Sequence, residues 1–223
     1  MLEIHRPKID LENESINSNL AFFRIKKSAK LKLAINDCRL NILDLNDNMK
    51  SEVEIRFAAR GDAELLSKLG RDTFHDAFVN HPLMPKADLE LYLNEAFTIQ
   101  QITSELNDTQ AAFLLAEIDG QAVGYAKLVQ DGCEPVLVTK NPVKLKRLYA
   151  RREFIGAGIG AGLLSRCLDE AEKSGHDTIW LSVWEHNRRA QEFYRRWDFK
   201  PFGVIDFQLG NTMLTDILMQ RPL

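Results

Sequence analysis

A segment with glycine at every second position, Gly156-Ala157-Gly158-Ile159-Gly160-Ala161-Gly162, joins a strand-like run, Leu145 to Ala150, to an amphipathic stretch that ends near Lys173. Glycine lets the backbone approach a neighbour closely and adopt conformations closed to other residues. A helix that starts at Leu163 or a little earlier presents unpaired N–H groups and the positive end of its dipole. The passage therefore reads as an anion cradle, suited to the phosphates of a nucleotide-bearing cofactor. Tight packing of a helix on a sheet would use the same glycines, and the flanking sequence has to separate the two readings.

After the helix comes a second strand-like run, Thr178 to Trp184, then Glu185-His186-Asn187-Arg188-Arg189-Ala190-Gln191-Glu192-Phe193-Tyr194, leading to Trp197-Asp198-Phe199. Gly156-x-Gly158-x-x-Ala161 also fits a dinucleotide fingerprint, with Glu185 where a ribose-binding acid would stand. Arg151, Arg152 and Glu153 argue against it, because they stand where that fingerprint needs a tight turn directly after the strand. Only one strand-helix-strand unit is completed before closing strands follow, too little for a dinucleotide half-domain.

The order strand, glycine loop, helix, strand, Asn187-x-x-Ala190-x-x-Phe193-Tyr194 resembles the GNAT N-acetyltransferase superfamily, with two separate motifs in that family's order and spacing. The resemblance implies an α/β (α+β) fold, the GNAT acyl-CoA N-acyltransferase fold. It also implies acetyl-CoA as co-substrate and no metal. Gly156, Ala157, Gly158, Ile159 and Gly160 would hold the pyrophosphate. Backbone groups of Leu148, Tyr149 and Ala150 would serve the pantetheine arm and the oxyanion site, although an ordinary central strand would look the same. Tyr194 would face the thioester sulfur and act as the acid for the departing thiolate, and Asn187 would be a cofactor partner, a helix N-cap, or both.

Three further stretches resemble the PaiA-type spermidine/spermine N-acetyltransferases: Thr73-Phe74-His75-Asp76-Ala77-Phe78, Ile179-Trp180-Leu181 through Trp184-Glu185, and Phe207-Gln208-Leu209-Gly210 through Thr215-Asp216. The implied acceptor is a polyamine, with protein or peptide amino groups as the alternative. Two positions depart from the superfamily. Ile155 stands where an Arg or Gln is usual, three residues before Gly158, so a phosphate-anchoring side chain is missing and Arg151 or Arg152 would have to substitute. That departure also keeps open a non-catalytic, CoA-binding regulatory module. Asp198 replaces the usual Gly that ends the last helix in a left-handed turn, which Asp tolerates better than most residues.

Acyl transfer to an amine requires an unprotonated nucleophile, and an alkylamine with pKa near 10.4 is only about one part in a thousand neutral at pH 7. A base must help, and Glu185, at the end of its strand, is the foremost candidate, with Asp76 and His75 behind it. Asp72 and Asp76, four apart on a helix, could face a polyamine or simply solvent.

The remaining chain fits a single α/β domain over residues 53–223 with an extension over 1–52. From Val53 the pattern predicts a strand at about Glu54 to Ala58. A helix follows from an Asp62 cap to about Phe78, with Leu65, Leu66, Leu69 and Phe74 on one buried face. Helices over Leu89 to Phe97 and Ile99 to Leu106 precede a hairpin, Ala112 to Ile118 and Ala122 to Val129, turned by Asp119-Gly120. Gln130 to Pro142 reads as loop, and Val204 to Leu209 with Thr215 to Gln220 as closing strands. The expectation is a mixed, largely antiparallel sheet with helices on both faces.

Polar runs set the first 48 residues apart, and they read as a flexible extension or as sequence upstream of a true start at Met49. No run of eighteen apolar residues suggests a membrane span, and no secretory signal is recognisable. The cytoplasm is the expected compartment. A net charge of -3 gives no field for nucleic acid. The partner expected is a small-molecule amine, and a homodimer is compatible with the resemblance. Cys38, Cys133 and Cys167 lack metal-ligand spacing and read as buried thiols.

Overall fold

The structure is a computed structural model that describes residues 40–41, 52–130, 134 and 137–223. The proposed flexible extension, the Met49 start, Cys38 and Cys133 lie outside the described residues, except that Leu40–Asn41 forms a short strand, β1. The elements that follow are β2 (Glu52–Phe57), α1 (Ala63–Phe78), α2 (Lys86–Ala96), α3 (Ile99–Asn107), β3 (Ala111–Ile118), β4 (Gln121–Val129) and β5 (Pro142–Ala150). The chain continues with α4 (Ile159–Lys173), β6 (Thr178–Trp184), α5 (Arg188–Arg196), β7 (Lys200–Leu209) and β8 (Thr212–Pro222).

One sheet runs in the order β1-β2-β3-β4-β5-β6-β8-β7. Every neighbouring pair is antiparallel except β5 with β6. Asp119 and Gly120 turn the β3–β4 hairpin with φ of 50° and 75°, the left-handed pair that a tight two-residue turn demands. One face carries a core in which Leu163, Leu164 and Cys167 of α4 and Tyr194 of α5 pack on β3 to β6. The other carries Leu66, Leu69 and Phe74 of α1 with Leu89 and Leu93 of α2 and Ile102 of α3. The expected mixed, largely antiparallel sheet with helices on both faces is what the chain forms.

Three local expectations are corrected. Leu65 is exposed at 37%, because it neighbours buried Leu66 and the two cannot share a helix face. The Asp62 carboxylate does not cap α1; it accepts from Ala59 N–H at 2.6 Å and pairs with Arg56 at 2.8 Å. And α4 begins at Ile159, inside the glycine run, because the break in conformation is Gly158 at φ 90°.

Two features of β5 shape the site. Its pairing with β4 shifts between Lys127/Arg147 and Leu128/Leu145, so Lys146 is a bulge residue. Its pairing with β6 spans only Pro142 to Lys144 opposite Thr178 to Trp180. Beyond that point the two strands diverge, and the sheet opens as a wedge.

Candidate active site

Two cavities flank this wedge. The larger, about 840 Å³, is bordered by the glycine loop, the end of β5 and one side of α5. The smaller, about 200 Å³, lies among α1, α2, β5, β6, β7 and β8. Leu148, Tyr149, Asn187, Ala190 and Tyr194 border both, so the cavities meet at these five residues.

The larger cavity has the chemistry of an anion site. Gly156 at φ 96° and Gly158 at φ 90° carry the chain into α4 in a conformation that side-chain-bearing residues rarely adopt. Gly162 N–H donates to Gly158 O at 2.9 Å, the first bond of the helix, and the amides of Ile159, Gly160 and Ala161 before it have no intrahelical acceptor. Gly124 on β4 lets this helix end sit directly on the sheet, since a Cβ there would lie 2.8 Å from Ile159 Cγ2 and from Tyr149 O. Gly156, Gly158 and Gly160 border the cavity, together with exposed Ile155.

Of the two arginines proposed to stand in for Ile155, only Arg152 borders the cavity. Arg151 is engaged elsewhere, its Nε donating to Ala122 O at 2.9 Å and its guanidinium lying 3.8 Å from Asp72. Arg189 and Arg196 of α5 complete a basic rim, opposed by Asp76. Sequence reasoning missed these two, although a spacing of seven residues puts them on one helix face.

Asn187 caps α5, its Oδ1 accepting from Ala190 N–H at 3.1 Å, and it also stands at the junction of the cavities. Tyr194 sits two turns on, its ring 5.3 Å from Phe193 and 5.6 Å from Phe199. Burial, and secondarily the Cys167 thiol, pushes its phenol well above the usual tyrosine range, so it holds its proton at neutral pH.

The other acid–base candidates are placed apart. The Glu185 carboxylate is 44% exposed, 3.8 Å from His186 Nε2, and borders neither cavity. His75 and Asp76 lie 3.6 Å apart on α1; Asp76 borders the larger cavity, and neither they nor Asp72 border the smaller one. The carboxylate that does so is Asp216 of β8, 8% exposed, with the Ser182 side chain favouring its charged form. It lies within the tail stretch noted in the sequence, yet nothing there marks it as a site residue.

Arg147, which also borders the smaller cavity, is tied down from behind. It donates to Glu105 at 2.6 and 3.2 Å, and Lys127 Nζ lies 2.9 Å from the same carboxylate. All three are buried. Burial raises the Glu105 carboxyl's pKa, but Arg147 and Lys127 outweigh it and hold it below the usual range. Lys127, the second cation on one anion, is pushed down to about 8, chiefly by burial.

Residues 73–199 match the Acetyltransferase (GNAT) family. The chain is 30% identical over 162 residues to an uncharacterised N-acetyltransferase of Mycobacterium tuberculosis, covering 73% of this chain and 98% of that protein. It is 29% identical over 157 residues to one of Lactobacillus delbrueckii, covering 70% and 88%. Among solved structures, a PaiA N-acetyltransferase of Thermoplasma acidophilum in complex with coenzyme A superposes with TM-score 0.62 at 23% identity, covering 77% of this chain and 99% of that one. A ribosomal-protein-alanine N-acetyltransferase of Brucella melitensis does so with TM-score 0.54 at 23%, covering 76% and 99%. With the glycine cradle, the wedge between β5 and β6 and the family match all falling on one stretch of chain, this protein belongs to the acetyltransferase (GNAT) family.

Proposed function

We propose that the protein transfers the acetyl group of acetyl-CoA to a primary amine of a compact small molecule, in its finest reading a polyamine such as spermidine or spermine. The observation that carries this is the meeting of an anion-binding cavity and a small aromatic cavity at Tyr194. Acetyl-CoA supplies an activated acyl group there. The amides at the start of α4, with Arg152, Arg189 and Arg196, would hold its phosphates. Backbone groups of Leu148, Tyr149 and Ala150 lie along the open edge of β5, where they would serve the pantetheine arm and the carbonyl oxygen. Tyr194 would donate to the sulfur, and Asn187 would fix the junction.

Polyamine specificity draws on the PaiA-like stretches, and the small acceptor cavity supports it over an extended peptide. A peptide amino terminus is the second reading, supported by the likeness to the Brucella enzyme, which acts on a ribosomal protein. The test is thiol release from acetyl-CoA with spermidine, spermine, short diamines and amino-terminal peptides. Preferential turnover of a polyamine is expected, and turnover of peptides alone would overturn the small-amine reading. Coenzyme A binding without turnover of any amine would favour the regulatory module.

A further inference from the structure

Asp216 is a carboxylate in a cavity whose other charged walls are Lys144, Lys146 and Arg147 of β5, of which Arg147 is ion-paired with Glu105. Asp216 projects into the smaller cavity from β8, the penultimate strand of the sheet, opposite Trp184 on β6 and Ile205 on β7. Phe74, Phe78, Tyr92, Trp184 and Phe207 also line that cavity. Aromatic faces attract an alkylammonium, and a carboxylate among them adds a charge to receive it. Asp216 is the single acid among the described residues bordering the cavity.

We propose that Asp216 meets the acceptor's ammonium and takes the proton that its nitrogen must lose before attack, with Ser182 orienting the carboxylate. This rests on the acyl-transfer reading above. One N–H proton passes to the Asp216 carboxylate, and the freed lone pair forms the N–C bond to the acetyl carbon as the C–S bond breaks. The second proton on nitrogen passes to solvent as the amide forms, leaving the coenzyme A thiolate, which Tyr194 stabilises by hydrogen bonding. Asp216 then returns its proton to solvent.

The difficulty for any carboxylate base is that its pKa and that of an alkylammonium lie about six pH units apart in water. Burial works on both partners. It pushes the Asp216 carboxyl up, and it would push a bound ammonium down, so that the gap narrows from each side. The groups facing Asp216 set the outcome. Ser182 on β6 favours the carboxylate by hydrogen bonding, and Lys144 on β5, whose ammonium lies 4.2 Å over the Trp180 ring, favours it by charge. Tyr92 is the phenol on α2 close enough to feel that charge. Lys146 and Arg147 of β5 also line the cavity, Arg147 ion-paired with Glu105, and as cations both favour the carboxylate and disfavour a bound ammonium, whereas the α1 and β7 residues there, such as Phe74, Phe78 and Phe207, are uncharged.

The test uses the full chain and two readouts. With the best amine of the panel, Asp216→Asn should lower kcat/KM at pH 7 at least 100-fold and abolish the acidic limb of its pH profile, with coenzyme A affinity within twofold. Asp216→Glu should recover part of the loss, and Ser182→Ala should move the acidic limb to higher pH, because the carboxylate loses a bond that favours its charged form. An unchanged limb in Asp216→Asn, or its removal by Glu185→Gln instead, overturns the proposal. Independently of turnover, calorimetry on the coenzyme A-saturated protein at pH 6 should show n-butylammonium binding in the wild type and at least tenfold weaker binding in Asp216→Asn. Equal binding overturns ammonium recognition by Asp216. Asp216-dependent binding with no amine acetylated upholds it while sinking the acyl-transfer reading.

Discussion

Replacing Tyr194 by Phe tests the centre of the proposed mechanism with little disturbance to the fold. The ring stays in place against Phe193 and Phe199, so global stability should change by no more than about 1 kcal/mol. What is lost is one hydroxyl at the junction of the two cavities. A thiol resembling cysteine titrates near 8.5 and a phenol near 10, so full proton transfer from Tyr194 to a thiolate is uphill by about 2 kcal/mol even before burial widens the gap. The phenol should therefore act as a hydrogen-bond donor that strengthens as negative charge gathers on sulfur. A bond to a charged acceptor contributes about 1.5–3 kcal/mol. At about 1.36 kcal/mol per factor of ten, kcat should fall roughly 10- to 160-fold. Thiol-release kinetics would measure this, with calorimetry reporting coenzyme A affinity within about twofold of wild type. Unchanged turnover would remove Tyr194 from the chemistry, and a fall in affinity matching the fall in kcat would make it a binding residue instead.

Three other outcomes are expected. Arg189→Ala combined with Arg196→Ala should weaken coenzyme A binding about tenfold at low salt, and the difference should shrink as salt screens these exposed charges; a salt-independent loss would point to packing instead. Glu105→Gln leaves Lys127 and Arg147 buried without their anion, a change expected to cost about 3–5 kcal/mol and to lower Tm by about 10 °C in a thermal melt. Asp216, whose carboxyl is raised by burial, adds stability that is full below the unfolded carboxyl's pKa and is lost as pH rises through the folded value. Asp216→Asn lacks that loss, so its stability relative to wild type, followed by denaturant titration, should improve from pH 4 to pH 7; a constant difference would refute it.

The order of the elements from β2 to β8 and the cradle were readable because periodicity, glycine placement and motif spacing are local properties of the chain. Asp198 behaves as its position at the end of α5 suggests, with φ 63°. What escaped depends on partners distant in sequence. Asp62 is a good helix cap by type, but Arg56 and the Ala59 amide claim its carboxylate. Glu185 ends its strand where a base could stand, yet strand direction turns its side chain toward His186 and solvent. Asp216 reads as one polar residue in a closing strand, and only the packing of α1 and α2 over that face makes it a cavity wall. Gly124 looks like an ordinary strand glycine until the first turn of α4 is laid across it.

The short ladder between β5 and β6 leaves the two parts of the sheet joined by three residue pairs. Past Lys144 the edge of β5 that faces the wedge has no strand beside it among the described residues. A polar chain lying there would behave as a transient strand of the sheet, with amide groups of the ligand taking the place of a peptide ladder. Ligand occupancy and stability are then linked: the amide protons of β5 past Lys144 that face the wedge and do not donate to β4 should exchange slowly only when the wedge is filled, and the melting point should climb with the logarithm of ligand concentration.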